Sequence, residues 1–268
     1  MPTSSQLNIA VISLNISWCD PDENRYSLSK ALDLLSKDTD VAVVPELFTT
    51  GFLSDQVSID KYSEYWEDSP TLIFLKEMSA KHNMALCGSF MIKASNGLVL
   101  NRAVFVEPSG EVTHYDKHHL FMLSDEPRCF QSGNDPVPVI RFRGWNIAMA
   151  ICYDLRFPTW LRNRDCRYDL LLLPANWPTA RQYAWKHLLI ARAIENQAYV
   201  AGANRSGHDD YGEYDNMSAI YDFMGKDITT YESSKQISYP NASIITASLT
   251  ADKLNKARKQ FPVLNDAD

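Results

Sequence analysis

Strand-like and helix-like segments alternate along this chain, and that alternation narrows its possible folds to layered α/β architectures. Leu7–Ile16 is apolar and rich in β-branched residues, and Asp40–Val44 is a second such run. Between them, Tyr26–Lys37 carries Leu28, Leu32 and Leu35 at helical spacing, behind a cap region at Asp20–Asp22. Pro70–His82 reads as another helix. Ala85–Ile92, Leu98–Glu107 and Glu111–Tyr115 read as strands, the last two joined by the turn Pro108-Ser109-Gly110. Val137–Phe142 and Trp145–Ile151 form a hairpin around Arg143-Gly144. Asp169–Leu173 is a continuous apolar run, as expected of a strand covered on both faces. Thr179–Asn196 reads as a long helix and Ala198–Ala203 as the next strand. Two strands flank Met224-Gly225, Ser243–Leu249 is a further strand, and Ala251–Lys259 is helical.

The pattern contains an internal echo. Asn8-Ile9-Ala10-Val11 leads by a helix to Val43-Val44-Pro45-Glu46, and Asn146-Ile147-Ala148-Met149 leads by a helix to Leu172-Leu173-Pro174-Ala175. Two β-α-β units of this kind suit a pseudo-symmetric sandwich of two sheets with helices outside. No linker or low-complexity stretch divides residues 1–268, so we expect one domain. A chain of 268 residues can bury a full core, and 45% hydrophobic against 22% charged residues excludes a disordered one. The formal net charge of −7 argues against a nucleic-acid binder, which needs a basic face.

The five cysteines, Cys19, Cys87, Cys129, Cys152 and Cys166, form no CxxC pair, and their odd number is no disulfide framework. A reducing, cytoplasmic setting is therefore expected. No Lys or Arg precedes Arg25, and the apolar run Ile9–Ile16 is short and interrupted, so we expect no signal peptide. No stretch approaches the ~18 apolar residues of a membrane span.

Three strand ends carry reactive residues, where α/β proteins usually place function. Asp40–Val44 runs into Pro45-Glu46, Glu111–Tyr115 into Asp116-Lys117, and Trp145–Ile151 into Cys152. Taken singly, each has a structural explanation: a buried thiol, a turn carboxylate, a surface lysine. Together their chemistry is complementary. A thiol with a pKa of about 8.5 is mostly protonated at neutral pH and needs a base. A neighbouring Glu can take that proton and return it to a leaving amine. A Lys favours the thiolate and can donate to an oxyanion. Cys152 also precedes a helix-like segment, Tyr153–Arg164, whose first amides would favour negative charge.

The surrounding blocks carry a resemblance. Val44-Pro45-Glu46-Leu47-Phe48, Tyr115-Asp116-Lys117-His118-His119-Leu120-Phe121 and Ile151-Cys152-Tyr153-Asp154-Leu155-Arg156-Phe157-Pro158 closely resemble, in order and separation, the three motifs of the nitrilase superfamily of carbon–nitrogen hydrolases. Pro174-Ala175-Asn176-Trp177-Pro178 and Arg192–Val200 extend the likeness. The resemblance implies a four-layer α-β-β-α sandwich and a Glu-Lys-Cys triad without metal or organic cofactor. It casts Glu46 as general base and acid, Lys117 as the orienting, oxyanion-binding cation, and Cys152 as nucleophile. Glu126, seven residues before Gly133, fits the family's second glutamate. The backbone N–H of Tyr153 would join Lys117 in holding the oxyanion.

Within the superfamily these blocks look most like the omega-amidases, which release ammonia from 2-oxoglutaramate and similar carboxylate-bearing amides. Related carbamoylases bind a substrate carboxylate through an Arg at the position of Arg156, while Phe121, Asn176 and Trp177 would shape a small pocket. A true nitrilase, a carbamoylase or a deaminated-glutathione amidase are the alternatives. A Cys-His hydrolase using Cys152 with His118 or His119 is a rival reading. A metal site from His114, His118 and His119 lacks convergent ligand spacing, so none is expected. A non-enzymatic module on this scaffold would have lost part of the triad. The expected partner is a small-molecule amide, with no nucleic acid and no membrane. A homodimer is expected, with Trp185 and Phe261 as interface anchors or core, and Cys129 lies close in sequence to Glu126.

Overall fold

The first strand, β1 (Gln6–Leu14), shows how the layers arise. Successive side chains of a strand point to opposite faces. Leu7, Ile9 and Val11 join one buried cluster, and Ala10, Ile12 and Leu14 join another. A strand apolar on both faces must be covered on both, so its sheet becomes an inner layer. The computed structural model describes residues 2, 5–94, 96–229 and 241–266.

After β1 come α1 (Pro21–Asp33), β2 (Val41–Val43), α2 (Gln56–Tyr62), β3 (Glu64–Tyr65) and α3 (Pro70–His82). The first half continues with β4 (Ala85–Lys93), β5 (Val99–Val106), β6 (Val112–Asp116) and the one-turn α4 (Glu126–Cys129). The second half holds β7 (Val139–Phe142), β8 (Trp145–Met149), β9 (Leu170–Ala175), α5 (Gln182–Asn196) and β10 (Tyr199–Asn204). It ends with β11 (Gly207–Asp209), β12 (Gly212–Tyr214), β13 (Ala219–Tyr221), β14 (Ala242–Thr250) and α6 (Ala251–Gln260).

One sheet has the order β14-β1-β2-β4-β5-β6, with β3 beside β4, and the other has β13-β10-β9-β8-β7. Between them lies a core that includes Val43, Phe105, Trp145, Ile147 and Leu171. Leu28 and Leu32 of α1 and Leu72 and Leu75 of α3 cover the outer face of the first sheet. Trp185, Leu189 and Ala193 of α5 pack on the second. The result is the expected four-layer α-β-β-α sandwich.

The internal echo holds at the level of register. Ile9 pairs with Val41 in parallel, and Ile147 pairs in the same way with Leu170. In each sheet a parallel triplet is flanked by antiparallel strands: β14 and β5 in one, β7 and β13 in the other. The second unit nevertheless lacks the expected helix. Tyr153–Arg164 is not an α-helix: Cys152–Arg156 is a single 3₁₀ turn, and a second short turn spans Arg164–Cys166. Pro158 cannot donate to a helical bond, and Asp165 stands at φ +54°. No helix macrodipole therefore aids Cys152.

Other differences are local. α1 starts at Pro21, five residues before the apolar spacing begins, because the Asp20 carboxylate caps the Glu23 N–H at 3.1 Å; it ends at Asp33, short of Lys37. Thr179–Arg181 is a 3₁₀ turn and α5 proper begins at Gln182. Among the described residues that follow Met224-Gly225, up to 229, there is a single bridge, Tyr221 to Asp227, and no second strand. Trp185 is 1% exposed and donates its Nε1–H to the Met217 carbonyl at 2.7 Å, so it is core and not an interface anchor, whereas Phe261 is exposed. Gly202 makes room for that indole: a Cβ there would sit 2.7 Å from its ring. No helix among the described residues is long and apolar enough to cross a membrane.

Candidate active site

Three chain reversals bring the reactive residues together. Beyond β2 the chain turns at Leu47, which adopts φ +45° while its N–H donates to Ser89 Oγ at 2.9 Å, leaving Glu46 past the C-terminal end of this interior strand. Lys117 follows β6, its N–H bonded to the Asn101 carbonyl and its own carbonyl accepting from Gly133 N–H at 2.8 Å. Only glycine fits at 133, since a Cβ would lie 2.1 Å from the Asp116 carbonyl oxygen. Cys152 stands at φ +43° where β8 gives way to the 3₁₀ turn. That left-handed backbone is unfavourable for a side-chain-bearing residue and must be held by its surroundings.

Asp154 supplies the hold. Its fully buried carboxylate accepts from Ile151 N–H at 3.1 Å, inside the Cys152 turn. It also accepts from Tyr115 OH at 2.9 Å and His119 N–H at 3.0 Å, and lies 2.7 Å from His119 Nδ1. Tyr115 and His119 flank Lys117, so one carboxylate ties the cysteine turn to the lysine segment.

The ammonium of Lys117 is bracketed by two carboxylates. Nζ donates to Glu46 Oε1 at 2.8 Å and to Glu126 Oε1 and Oε2 at 2.8 and 3.1 Å. Burial works against its charge, but Glu126 and Glu46 outweigh that and hold its pKa above the usual lysine value. Burial raises the Glu126 carboxyl, opposed by Lys117. Glu126 also accepts from Phe121 N–H at 2.5 Å, so it fixes both the lysine head and the loop carrying Phe121. Glu46 receives Asn101 Nδ2–H at 2.8 Å and Asn176 N–H at 2.9 Å. The Asn176 side-chain amide donates to the Glu46 carbonyl at 2.8 Å. Burial pushes the Cys152 thiol well above the ordinary range, Glu46 adds to the effect, and Lys117 opposes it. The resting sulfur is therefore protonated, beside a carboxylate able to take the proton.

A cavity of about 350 Å³ opens above these groups. Glu46, Lys117, Cys152, Tyr153, Arg156, Phe121, Asn176 and Trp177 all line it, and Glu126 sits behind Lys117. Arg156 places its guanidinium carbon 4.9 Å from the centre of a Trp177 ring. Phe121 and Tyr153 meet edge to face at 5.1 Å. His118 and His119 stack on Trp160 and Phe157, His119 Nδ1 lies against Asp154, and neither histidine lines the cavity that holds Cys152, so the Cys-His reading has no geometric support. Among the described residues no group of three or more His, Cys, Asp or Glu is arranged to hold a metal ion.

Several site residues escaped the sequence reading. Asn101, which donates to Glu46 from outside the cavity wall, had a signal: it is a polar residue in the apolar strand Val99–Val106, and it is fully buried. Phe52, Ser54, Arg181, Tyr211 and Tyr214 line the cavity but come from loops and short elements without a local pattern.

The carbon-nitrogen hydrolase family profile matches residues 8–259. The chain is 37% identical over 265 residues to the omega-amidase YafV of Yersinia enterocolitica, covering 98% of each chain. It is 31% identical to the 2-oxoglutaramate amidase of Bacillus subtilis, covering 96% of each. A crystal structure of a CN-hydrolase superfamily protein from Xanthomonas campestris, which bears an arsenic adduct in its active site, superposes with a TM-score of 0.88 at 34% identity, covering 99% of this chain and 98% of that one. With a matching profile across nearly its whole length, relatives above 30% identity and the same sandwich, the chain belongs to the carbon-nitrogen hydrolase family, the nitrilase superfamily, and is a hydrolase of carbon–nitrogen bonds.

Proposed function

We propose that this enzyme cleaves the terminal amide of small carboxylate-bearing amides of the 2-oxoglutaramate kind, giving the acid and ammonia through a thioester on Cys152. The observation that carries the reading is the Lys117 ammonium between Glu46 and Glu126, on the floor of a cavity that also holds Cys152 and Arg156. The names of the relatives, omega-amidase and 2-oxoglutaramate amidase, support the substrate class.

Glu46 takes the Cys152 proton as sulfur attacks the amide carbon. The oxyanion is met by Lys117 and the Tyr153 backbone N–H. Glu46 then passes its proton to the nitrogen, the C–N bond breaks and ammonia leaves. Water adds to the thioester with Glu46 as base, the C–S bond breaks, and the proton returns to sulfur. Arg156 seats the far carboxylate, since a guanidinium fork matches a carboxylate in two hydrogen bonds. Glu126 positions Lys117. Ammonia release from 2-oxoglutaramate should exceed that from nitriles and N-carbamoyl amino acids; a reversed order ends this assignment in favour of a nitrilase or carbamoylase. Cys152→Ala should abolish turnover while the protein stays folded, and retained amidase activity would remove the triad.

We further propose a homodimer in a reducing cytoplasm. Apolar side chains exposed at Tyr183, Ile194, Met224 and Phe261 support the dimer, and five free cysteines support the compartment. A monomer mass by light scattering ends the dimer proposal.

A further inference from the structure

Two guanidinium groups line the cavity without an anionic partner. Arg156 is half-buried against Trp177, and Arg181 is exposed, its guanidinium carbon 5.0 Å from the centre of the Phe121 ring. Among the described residues neither side chain has an ion pair or a hydrogen bond. The other charges of the cavity are matched: Lys117 by Glu46 and Glu126, and Asp125 at the mouth by Arg128 at 2.8 Å. The floor therefore offers an incoming anion no free cation, and the wall offers two.

Each guanidinium lies over an aromatic ring and none of its N–H groups is taken by a protein acceptor among the described residues, so those groups are left for a ligand. Both guanidinium contacts are tied to one indole. The Arg156 guanidinium lies over Trp177, and Trp177 Nε1–H donates to the Arg181 carbonyl at 2.9 Å. That bond fixes the backbone at 181 within the 3₁₀ turn Thr179–Arg181, so the outer arginine is placed relative to the inner one.

We propose that Arg181 is a second specificity residue, the outer half of a two-arginine rim that captures the anionic end of the substrate and admits it amide-first. The inference rests on the amidase reading above. The substrate class it selects is a primary amide whose far end carries a carboxylate with a neighbouring acceptor oxygen, as in a 2-oxo acid. One guanidinium fork satisfies the carboxylate, and the second serves the remaining acceptors. A local cationic rim also answers a global difficulty, because a chain of net charge −7 repels an anion until a short-range field takes over.

The test compares Arg181→Gln and Arg181→Lys with the unaltered enzyme on 2-oxoglutaramate and on butyramide, at low and high salt. Arg181→Gln should lower kcat/KM for 2-oxoglutaramate about tenfold more than for butyramide, through KM and not kcat, as expected for one charge-assisted contact. It should also flatten the salt dependence of 2-oxoglutaramate turnover. Arg181→Lys should restore the salt dependence but only part of the KM, because an ammonium lacks the fork. An equal loss on both amides, or a salt dependence unchanged in Arg181→Gln, overturns the proposal. Unaltered enzyme that releases ammonia from neither amide would instead overturn the amidase reading, and the rim's role with it.

Discussion

At Cys152 burial keeps the proton on sulfur, while the proposed attack on an amide carbon needs it removed. Burial raises the thiol, Glu46 raises it further, and Lys117 pulls the other way. The sign gives a prediction: Glu46→Gln removes a negative charge, lowers the thiol pKa and exposes more thiolate at a given pH. Iodoacetamide should then alkylate Cys152 faster in Glu46→Gln than in the native enzyme, even though amide hydrolysis is lost. Slower alkylation would show that Glu46 activates the resting thiol and does not merely accept its proton during turnover. Glu126 is tested at the same scale. Without its charge, Lys117 loses one of the two carboxylates that hold it protonated against burial. Glu126→Gln should lower kcat about a hundredfold, the cost of one misplaced oxyanion donor, with circular dichroism unchanged. Wild-type kcat in that variant would reduce Glu126 to a loop anchor for Phe121. These residues were legible because the chemistry is carried by short blocks: Pro45-Glu46, Asp116-Lys117 and Ile151-Cys152 each mark a strand end in the sequence. Asn176 and Trp177 were legible in the same way, but not the bond from Asn176 N–H to Glu46 across 130 positions of sequence.

Among the elements, the informative failure is the segment after β8. It reads as helix-like, yet the chain opens with a short 3₁₀ turn at Cys152–Arg156, where Asp154 directs its carboxylate to Ile151, Tyr115 and His119. A buried acceptor shared by three partners is a tertiary feature with no local signature. Asp154→Ala should leave the Tyr115 O–H and the Ile151 N–H without their acceptor and cost about 2–4 kcal/mol in urea unfolding. It should also depress kcat, since it releases Cys152 from Lys117's segment. A stability change below about 0.5 kcal/mol, typical of a surface substitution, would deny Asp154 that role. Strands β1, β2 and β4 were read closely because their two-sided apolar pattern is strong. The hairpin β11–β12, which brings Tyr211 and Tyr214 to the cavity, was missed because three-residue strands leave no usable period.

At the scale of the whole molecule, the C-terminal helix closes the sandwich. β14 pairs with β1 in the first sheet, and α6 then crosses to the second, where Arg258 Nη1 meets Asp169 at 2.7 Å with both side chains buried. The same guanidinium donates to the carbonyls of Tyr168 and Gln197. Removing one partner of a buried pair leaves an uncompensated charge, so Arg258→Ala should cost about 3–5 kcal/mol in chemical denaturation. The double variant with Asp169→Asn should lose less than the sum of the single losses, and strict additivity would show that the pair is not coupled. By itself, the sequence determined the layered α/β class, the order of the strand ends that carry reactive residues and the residue types that meet there, because periodicity and strand-end motifs are properties of neighbours along the chain. Only the tertiary structure decided that Glu126 is buried against Lys117, that Asp154 joins the cysteine turn to the lysine segment, and that Arg156 and Arg181 share a wall. Those contacts join residues from different turns and strands, and their strength comes from burial, which only the packed sandwich creates.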